Sequence, residues 1–578
     1  PLACCWSSEK GRKPPREDCV PPRGGGAYAY LRGQAGAKAS IGELMAQNKQ
    51  AVGMSALRSA MAITVIIIAS KVAGFVREMV FAAYFGTGVA SDAYTNASTV
   101  VNVFILLFSA CISSTFIPIF TKTLKEKGRR YANGYANSIL TLFFLIGLLI
   151  SVLGYFFADR MCELLMPQLI PSAAPGTELY AQQIAKLNLT ADMAKVMFPT
   201  MAFAACTGVF TSLLNAHERF VPEQLMGFVL SGSVIAACVF FSEQGIYAVA
   251  VATAATYVLQ FVIVLPFLRG IYRFRPSLAP CGGRVKQTFL LALPAIMSMA
   301  LDELNHLVDK NVGIWLGDGP NTALTYAYRL ITLILGVLVV PITTVMFSKL
   351  SQYAAEGKNR RILDTTRQCL EVLALVVLPV IVLSAVQSQD VIRLLFFRGK
   401  FDEYSLTLTS DAYMFYVLGV FAFAWRNFLV RVFYSLQDTQ SPMWIGAVSV
   451  AVNIALDVAL APAMGVGGLT LATSVSGFVG AFLMLARLRR KLGRFGFAAT
   501  LVQVCKMLFS ACVAGAFTIA VSGAVQLASG SLVLRLLCAT GAGLLVYAAL
   551  VLLLRVEEVD TLKDILLSRL KKRSGGRT

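Results

Sequence analysis

Ionisable side chains inside long apolar runs are the residues of this chain best placed to do chemistry. A charge at membrane depth is costly unless it is paired or faces water, so it marks a functional site by default. The first apolar run contains Ser70-Lys71-Val72-Ala73-Gly74-Phe75-Val76-Arg77-Glu78. Lys71 and Arg77 lie about 120° apart around an ideal helix. Both face one cavity if that cavity is wide or the helix opens at Gly74. Arg77 is roughly 13 Å, and Lys71 about 22 Å, from the end of the run at Gly86, which makes snorkelling outward strained. Glu78 can partly neutralise either cation. Asp92 opens the second run, and either complements the N-terminus of its own helix or belongs to the site.

A second group comprises Asp302, Glu303, His306, Asp309 and Lys310. Positions 302, 306, 309 and 310 share one helix face, and such a face cannot point to lipid. Asp309 and Lys310 either line a cavity or neutralise their neighbours as a structural pair. Arg329, in Tyr326-Ala327-Tyr328-Arg329, has no acid close in sequence. A fixed guanidinium suits a phosphate, which it grips with two parallel hydrogen bonds; anchoring at the membrane interface is the alternative. Asn453 and Asp457 share a helix face, and Thr470 and Thr473 follow the bend Gly465-Val466-Gly467-Gly468. Their oxygens suit a hard cation such as Na⁺, and equally a proton relay or interhelical hydrogen bonding. The two histidines, His217 and His306, lack the company of a metal or catalytic site. No Ser/His/Asp set or Walker loop stands out.

The elements that must position these groups are membrane helices. The chain has 578 residues, 57% hydrophobic and 14% charged, with a mean hydropathy of +0.69. That much apolar surface has the bilayer as its natural solvent. The composition implies an all-α polytopic protein with about fourteen spans, near 57–85, 92–121, 134–158, 188–215, 222–242, 245–268, 286–316, 321–349, 365–387, 407–436, 442–463, 466–487, 498–525 and 531–555. The net charge of +20 sits mostly between spans, as the positive-inside rule predicts, so nucleic acid is not the expected partner. Alternate connections carry Lys122, Lys125, Lys127, Arg129 and Arg130; Arg269, Arg273, Arg275, Arg284 and Lys286; Lys349, Lys358, Arg360 and Arg361; and Arg487, Arg489, Arg490, Lys491 and Arg494. The opposite connections are poorer in cations, with Arg393, Arg398 and Lys400 as the exception. An even span number then puts both termini in the cytoplasm. Residues 1–55 read as a disordered basic tail or an upstream extension, and the tail from Val556 to Leu570 as a short interfacial helix or a solvated segment. Cys111, Cys206, Cys238, Cys505, Cys512 and Cys538 lie in apolar runs and read as small buried hydrophobes.

At this point the residues resemble a known family. Ser70 through Glu78, Phe85-Gly86-Thr87-Gly88 and Ser91-Asp92-Ala93-Tyr94 are similar to the opening of the MurJ/MviN family of lipid II flippases. Phe116-Ile117-Pro118-Ile119, Leu214-Asn215-Ala216, Tyr326 to Leu330, Phe397-Arg398-Gly399-Lys400-Phe401 and Phe433 to Thr439 follow in order. The resemblance implies the multidrug/oligosaccharidyl-lipid/polysaccharide exporter fold: two six-helix lobes around a central cavity, plus two C-terminal helices forming a lipid-tail groove. The lobes would span 56–269 and 270–490, the groove 491–556 and a cytoplasmic tail 557–578. It implies a monomeric flippase of the bacterial cytoplasmic membrane, not an enzyme. By alternating access it would move lipid II, an undecaprenyl-diphosphate-linked disaccharide-pentapeptide, between leaflets. Substrate-binding roles would fall on Ser70, Lys71, Arg77, Glu78, Asp92 and Arg329. In members that look sodium-coupled, the Na⁺ ligands would fall on Asp309, Asn453, Asp457 and Thr473. The chain departs from the family where a second-span Arg is replaced by the stretch Val103-Phe104-Ile105-Leu106, and where an acid after Arg329 is Thr332. Lys310 is a candidate to make up the missing charge. Another exporter of the same superfamily, or a polytopic membrane transferase, is the competing reading; the transferase would need an acidic or His-bearing loop site.

Overall fold

A computed structural model describes residues 65–277, 283–493, 496–528 and 530–557, which are helical with no strand among them. The readings of the N-terminal tail, of nearly all of the C-terminal tail, and of the side chains of Asp302 and Cys111 lie outside the described residues. Fourteen long helical segments follow the chain. They are α1 (65–85), α2 (Val89–Cys111), α3 (Ile117–Phe156), α4 (Glu178–Ala216), α5 (Val221–Phe240), α6 (Ile246–Leu268), α7 (Arg284–Trp315), α8 (Pro320–Ala355), α9 (Asn359–Val386), α10 (Glu403–Ser435), α11 (Gln440–Met464), α12 (Val466–Leu492), α13 (Phe497–Ala528) and α14 (Leu532–Leu553). Among the described residues, 11 of these are long and apolar enough to cross a membrane on length and composition. The remaining three, α1, α2 and α7, make the total compatible with the expected fourteen. Two of them, α1 and α7, carry most of the charges that drew attention in the sequence.

The helices form two lobes. In the first, α3 packs on α4, α2 on α4, and α5 on α6; in the second, α10 packs on both α8 and α12, and α11 on α12. Helix α7 touches α2 of one lobe and α11 of the other, so its faces look into both. The hairpin of α13 and α14 leans on α9 and covers little else. This one-sided packing leaves Cys505, Cys512 and Cys538 exposed, whereas Cys206 and Cys238 are buried. The expectation of buried thiols therefore holds for the first lobe and not for the hairpin.

Caps fix where the helices start. Asp402 accepts a hydrogen bond from the Ser405 amide at the head of α10 (2.9 Å), satisfying one of the donors a helix N-terminus leaves open. Asp438 does the same for Ser441 near the start of α11 (2.9 Å), and also meets the Lys491 ammonium of α12 at 2.7 Å. Burial alone would raise its carboxyl pKa. The Lys491 and Ser441 donors outweigh burial and hold it at about 2. Because this value lies below the ordinary aspartate value, the contact contributes stability at neutral pH and loses it as pH falls through about 4 to about 2. Asp438→Ala should cost about 1 kcal/mol, read as a lower thermal unfolding midpoint at pH 7. The gap between variant and parent should narrow below pH 3. A gap that stays constant with pH would remove the charge from the account.

Candidate functional site

Glu78 is the hub of the site. Its carboxylate accepts from Arg77 Nη2 at 2.5 Å and meets Arg329 Nε at 3.3 Å. Arg77 and Glu78 belong to α1 of the first lobe and Arg329 to α8 of the second. The two cations singled out in the sequence thus converge across the lobe boundary on one acid. Arg77 and Glu78 are shielded, with side chains 12% and 10% exposed, whereas the Arg329 side chain is 48% exposed and remains open to a ligand.

These groups line a cavity of about 290 Å³ between the lobes, with Tyr94, Tyr257, Glu303, His306, Asp309 and Lys310 also on its wall. An adjoining hollow of about 270 Å³ shares Arg77 and Arg329 and adds Ser70, Lys71 and Gly74. Lys71 and Arg77 therefore do face one space, and α1 stays helical through Gly74: the hollow is wide enough that no opening is needed. Lys71 itself is exposed. Thr332, standing where an acid was expected, also borders this hollow and bonds back to the Tyr328 carbonyl (2.6 Å). The stretch that lacks the expected Arg lines neither the cavity nor the hollow; its Val103, Phe104 and Ile105 pack on the apolar core. Phe104 meets Phe198 edge-on at 5.7 Å. Lys310 reaches the cavity, but its ammonium is held by the Asn321 carbonyl and by Thr325 Oγ1 at 2.6 Å.

Asp92 does not serve its own helix. It is fully buried and accepts from the Gly319 amide (2.8 Å), the Thr322 amide (2.9 Å) and the Thr322 hydroxyl (2.7 Å). It thereby caps the N-terminus of α8 in the opposite lobe. Lys186 stands 3.6 Å from it and also bonds Asp318 at 2.7 Å. Asn321 donates to Asn96 (2.7 Å), and Thr87 Oγ1 to Ser405 (2.8 Å). Three of the ordered motifs meet here. The Lys400 amide donates to the Ala83 carbonyl (2.8 Å), and the Tyr326 hydroxyl to the Gly86 carbonyl (3.1 Å). Gly399, at φ +61°, lies so close that a Cβ would stand 2.1 Å from the Ala83 oxygen. Only glycine permits that approach in that conformation. Lys186, Asn96, Asn321 and Thr322 were not singled out from the sequence. Their one signal is polarity at the ends of apolar runs, which many unrelated caps share.

A third cluster joins α7, α11 and α12. Asn453 Nδ2 donates to Asp309 Oδ1 (2.9 Å) and to Asp457 Oδ2 (2.5 Å), and all three residues are buried. Thr473 donates to its own helix at Leu469 (3.0 Å). The α12 residue that bonds the cluster is Ser476, whose hydroxyl donates to Asn453 Oδ1 (3.0 Å); nothing in its spacing distinguished it. Asp457 Oδ1 is buried with no hydrogen-bond partner. No group of three or more His, Cys, Asp or Glu able to hold a metal occurs among the described residues, and only two carboxylates meet here.

Comparison with known proteins extends this picture. Residues 81–538 match the family model described as "Lipid II flippase MurJ". A protein of Rhizobium meliloti (strain 1021) named "Probable lipid II flippase MurJ" is 29% identical over 433 residues, 73% of this chain and 78% of the relative. A Thermotoga maritima protein of the same name is 26% identical over 509 residues, 88% of this chain and 98% of the relative. Among solved structures, "Lipid II flippase MurJ, inward closed conformation" superimposes with a TM-score of 0.70 at 20% identity, over 86% of this chain and 99% of that one. An inward-facing multidrug transporter of the MATE family gives 0.62 at 13% identity, over 76% and 98%. At these identities the two structures speak for the fold.

Proposed function

The chain belongs to the lipid II flippase MurJ family, and on that premise we propose that it carries an undecaprenyl-diphosphate-linked peptidoglycan precursor from the inner to the outer leaflet by alternating access. It is a multi-pass protein of the bacterial inner membrane, and both termini lie in the cytoplasm in this reading. The observation that carries the proposal is the convergence of Arg77 and Arg329, from opposite lobes, on one acid inside a shared cavity. A diphosphate cannot cross hydrocarbon bare. Guanidiniums replace its hydration with fixed, charge-assisted donors. Lys71 in the adjoining hollow would meet the headgroup first. The lipid tail would stay in the bilayer along α13 and α14. The lobes would then rock about the site. A cavity of about 290 Å³ falls at the small end for ligand sites, so admitting a disaccharide-pentapeptide would require the lobes to part.

Arg329→Ala should lower flipping in proteoliposomes roughly ten- to a hundredfold, the scale of one lost charge-assisted contact. Unchanged flipping by a folded variant would remove Arg329 from the substrate path.

The same reading assigns Na⁺ as coupling ion to Asp309, Asn453 and Asp457. Two buried carboxylates on one amide call for an added positive charge, and the partnerless Asp457 oxygen supplies an acceptor for it. Thr473 is the least supported ligand, since its hydroxyl points its proton along its own helix. Asp309 and Asp457, bridged by Asn453 between α7 and α11, would hold the ion, whose single charge would offset one of the two carboxylates. At about ten times its dissociation constant, Na⁺ but not K⁺ should stabilise the purified protein by about 1.4 kcal/mol. Asp457→Asn should abolish that stabilisation. Equal stabilisation by both ions would favour a proton at the same place.

A further inference from the structure

Charge is divided unevenly around the central cavity. Its charged lining residues, Arg77, Glu78, Glu303, Asp309, Lys310 and Arg329, belong to α1, α7 and α8, and α2, α4, α5 and α6 bring it no charge. We propose that this uncharged first-lobe wall selects the sugar part of the headgroup, through hydroxyl and amide groups of α2 and α6; the proposal rests on the transport reading above. On α2 the cavity is lined by Tyr94, Ser98, Thr99 and Asn102. They recur at helical spacing, so they share one face, and they extend over about 12 Å of the axis. Tyr257 of α6 lines the same wall and is half-buried.

The hydroxyl protons on this wall are already committed. Thr99 donates to the Thr95 carbonyl (2.8 Å). Thr253 of α6 donates to the Val249 carbonyl (2.9 Å) and has no second proton to give. In the 2.9 Å contact between Tyr94 and Thr253, Tyr94 is therefore the donor. The oxygens of Tyr94 and Thr99 keep lone pairs, so this wall is rich in acceptors where the guanidiniums across from it are donors only. Asn102 is exposed, and its amide both accepts and donates. It immediately precedes Val103-Phe104-Ile105-Leu106, the stretch without the expected Arg. At that point α2 offers the cavity an amide and no cation. Neutral acceptors fit the hydroxyl donors of a sugar, and an amide matches the amide of an acylated amino sugar. The peptide fits less well, since its ionised ends meet no opposite charge on this wall. The diphosphate stays with Arg77 and Arg329. Affinity then comes from the guanidiniums, and discrimination from the neutral wall, whose acceptors a ligand without a sugar leaves unpaired.

The test is equilibrium binding to the purified full chain in neutral detergent. The probes are undecaprenyl diphosphate, the same lipid carrying one N-acetylglucosamine, and lipid II. The parent should bind the monosaccharide lipid about tenfold or more tighter than the bare one. Asn102→Ala combined with Tyr257→Phe should erase most of that margin and leave bare-lipid binding within about twofold. Either substitution alone, at about three- to tenfold, reads the site should the double variant fail to fold. Arg329→Ala should weaken all the probes alike and keep the margin. A margin that survives in the folded double variant would overturn the proposal. So would a margin shown by lipid II alone, which would place recognition in the peptide, or an equal loss of bare and sugar-bearing lipid in the double variant, which would make these residues structural. Undiminished bare-lipid binding in Arg329→Ala would strike the transport reading at that residue and leave the margin to judge the wall. A parent that binds none of the probes would sink both.

Discussion

Replacing Asp92 by alanine is expected to unfasten the two lobes at the end where α8 begins. The carboxylate is fully buried, accepts from Gly319 and twice from Thr322, and neighbours the Lys186 ammonium at 3.6 Å. Removing one member of a buried, charge-assisted set costs about 3–5 kcal/mol, because the remaining donors are left unsatisfied. Asp92 sits in the first lobe and its hydrogen-bond donors in the second, so the cost falls on the closed arrangement and not on either lobe alone. At 1.4 kcal/mol per tenfold, the closed population should fall by a hundredfold or more relative to the open one. Spin labels at Val89 and Arg398, both on exposed positions flanking the contact, should report a longer distance in the variant. Asp92→Asn keeps an acceptor oxygen and loses the charge toward Lys186, so it should lie between the two. An unchanged distance distribution in Asp92→Ala would mean that Thr87, Asn96 and Lys400 hold the lobes without it.

The two halves of that contact differ in how far the sequence reveals them. An acid at 92 is visible as a charge at the start of an apolar run, a place where it can complement a helix N-terminus. Which helix it caps was not visible. Its donors lie more than 220 positions away, and periodicity fixes the face a residue presents without naming what stands opposite. The same holds at the sodium candidate. Asp309, Asn453 and Asp457 break the apolar pattern at depth and so betray themselves, and they meet. Ser476 and Thr473 do not break it, since Ser and Thr are common in membrane helices, and only the packing of α12 on α11 decides which of them reaches Asn453. That the chain crosses a bilayer many times was legible because apolarity has no other explanation at this length; the count was less so, since α1, α2 and α7 fall outside the 11 helices apolar enough to span among the described residues. The exposure of Cys505, Cys512 and Cys538 on α13 and α14 is not legible in the sequence, because an apolar run looks the same whether protein or lipid covers it.

Glu78→Gln should tighten substrate binding while slowing turnover, and the opposite signs are the point of the experiment. In the closed cavity one carboxylate faces two guanidiniums, at 2.5 Å and 3.3 Å. At an effective dielectric near 20 a pair 4 Å apart interacts by roughly 4 kcal/mol before desolvation is counted. The Arg77 contact dominates, because Arg329 is 48% exposed and solvent screens it. Glutamine is nearly isosteric and uncharged, so Arg77 becomes a buried cation without a counter-ion. A diphosphate then compensates a larger deficit on arrival and gives up more on departure. Lipid diphosphate binding should strengthen by about tenfold or more, while flipping in proteoliposomes falls by a similar factor. Binding and flipping that decline together would reduce Glu78 to a scaffold for Arg77. The argument extends to why a carrier of anions holds an acid at its centre at all. After release the cavity must close again with nothing in it, and two facing guanidiniums would resist that closure. In the proposed cycle, a carboxylate on α1 that pairs with Arg77 beside it and reaches Arg329 across the boundary would stand in for the departed phosphate and be displaced when the next one arrives.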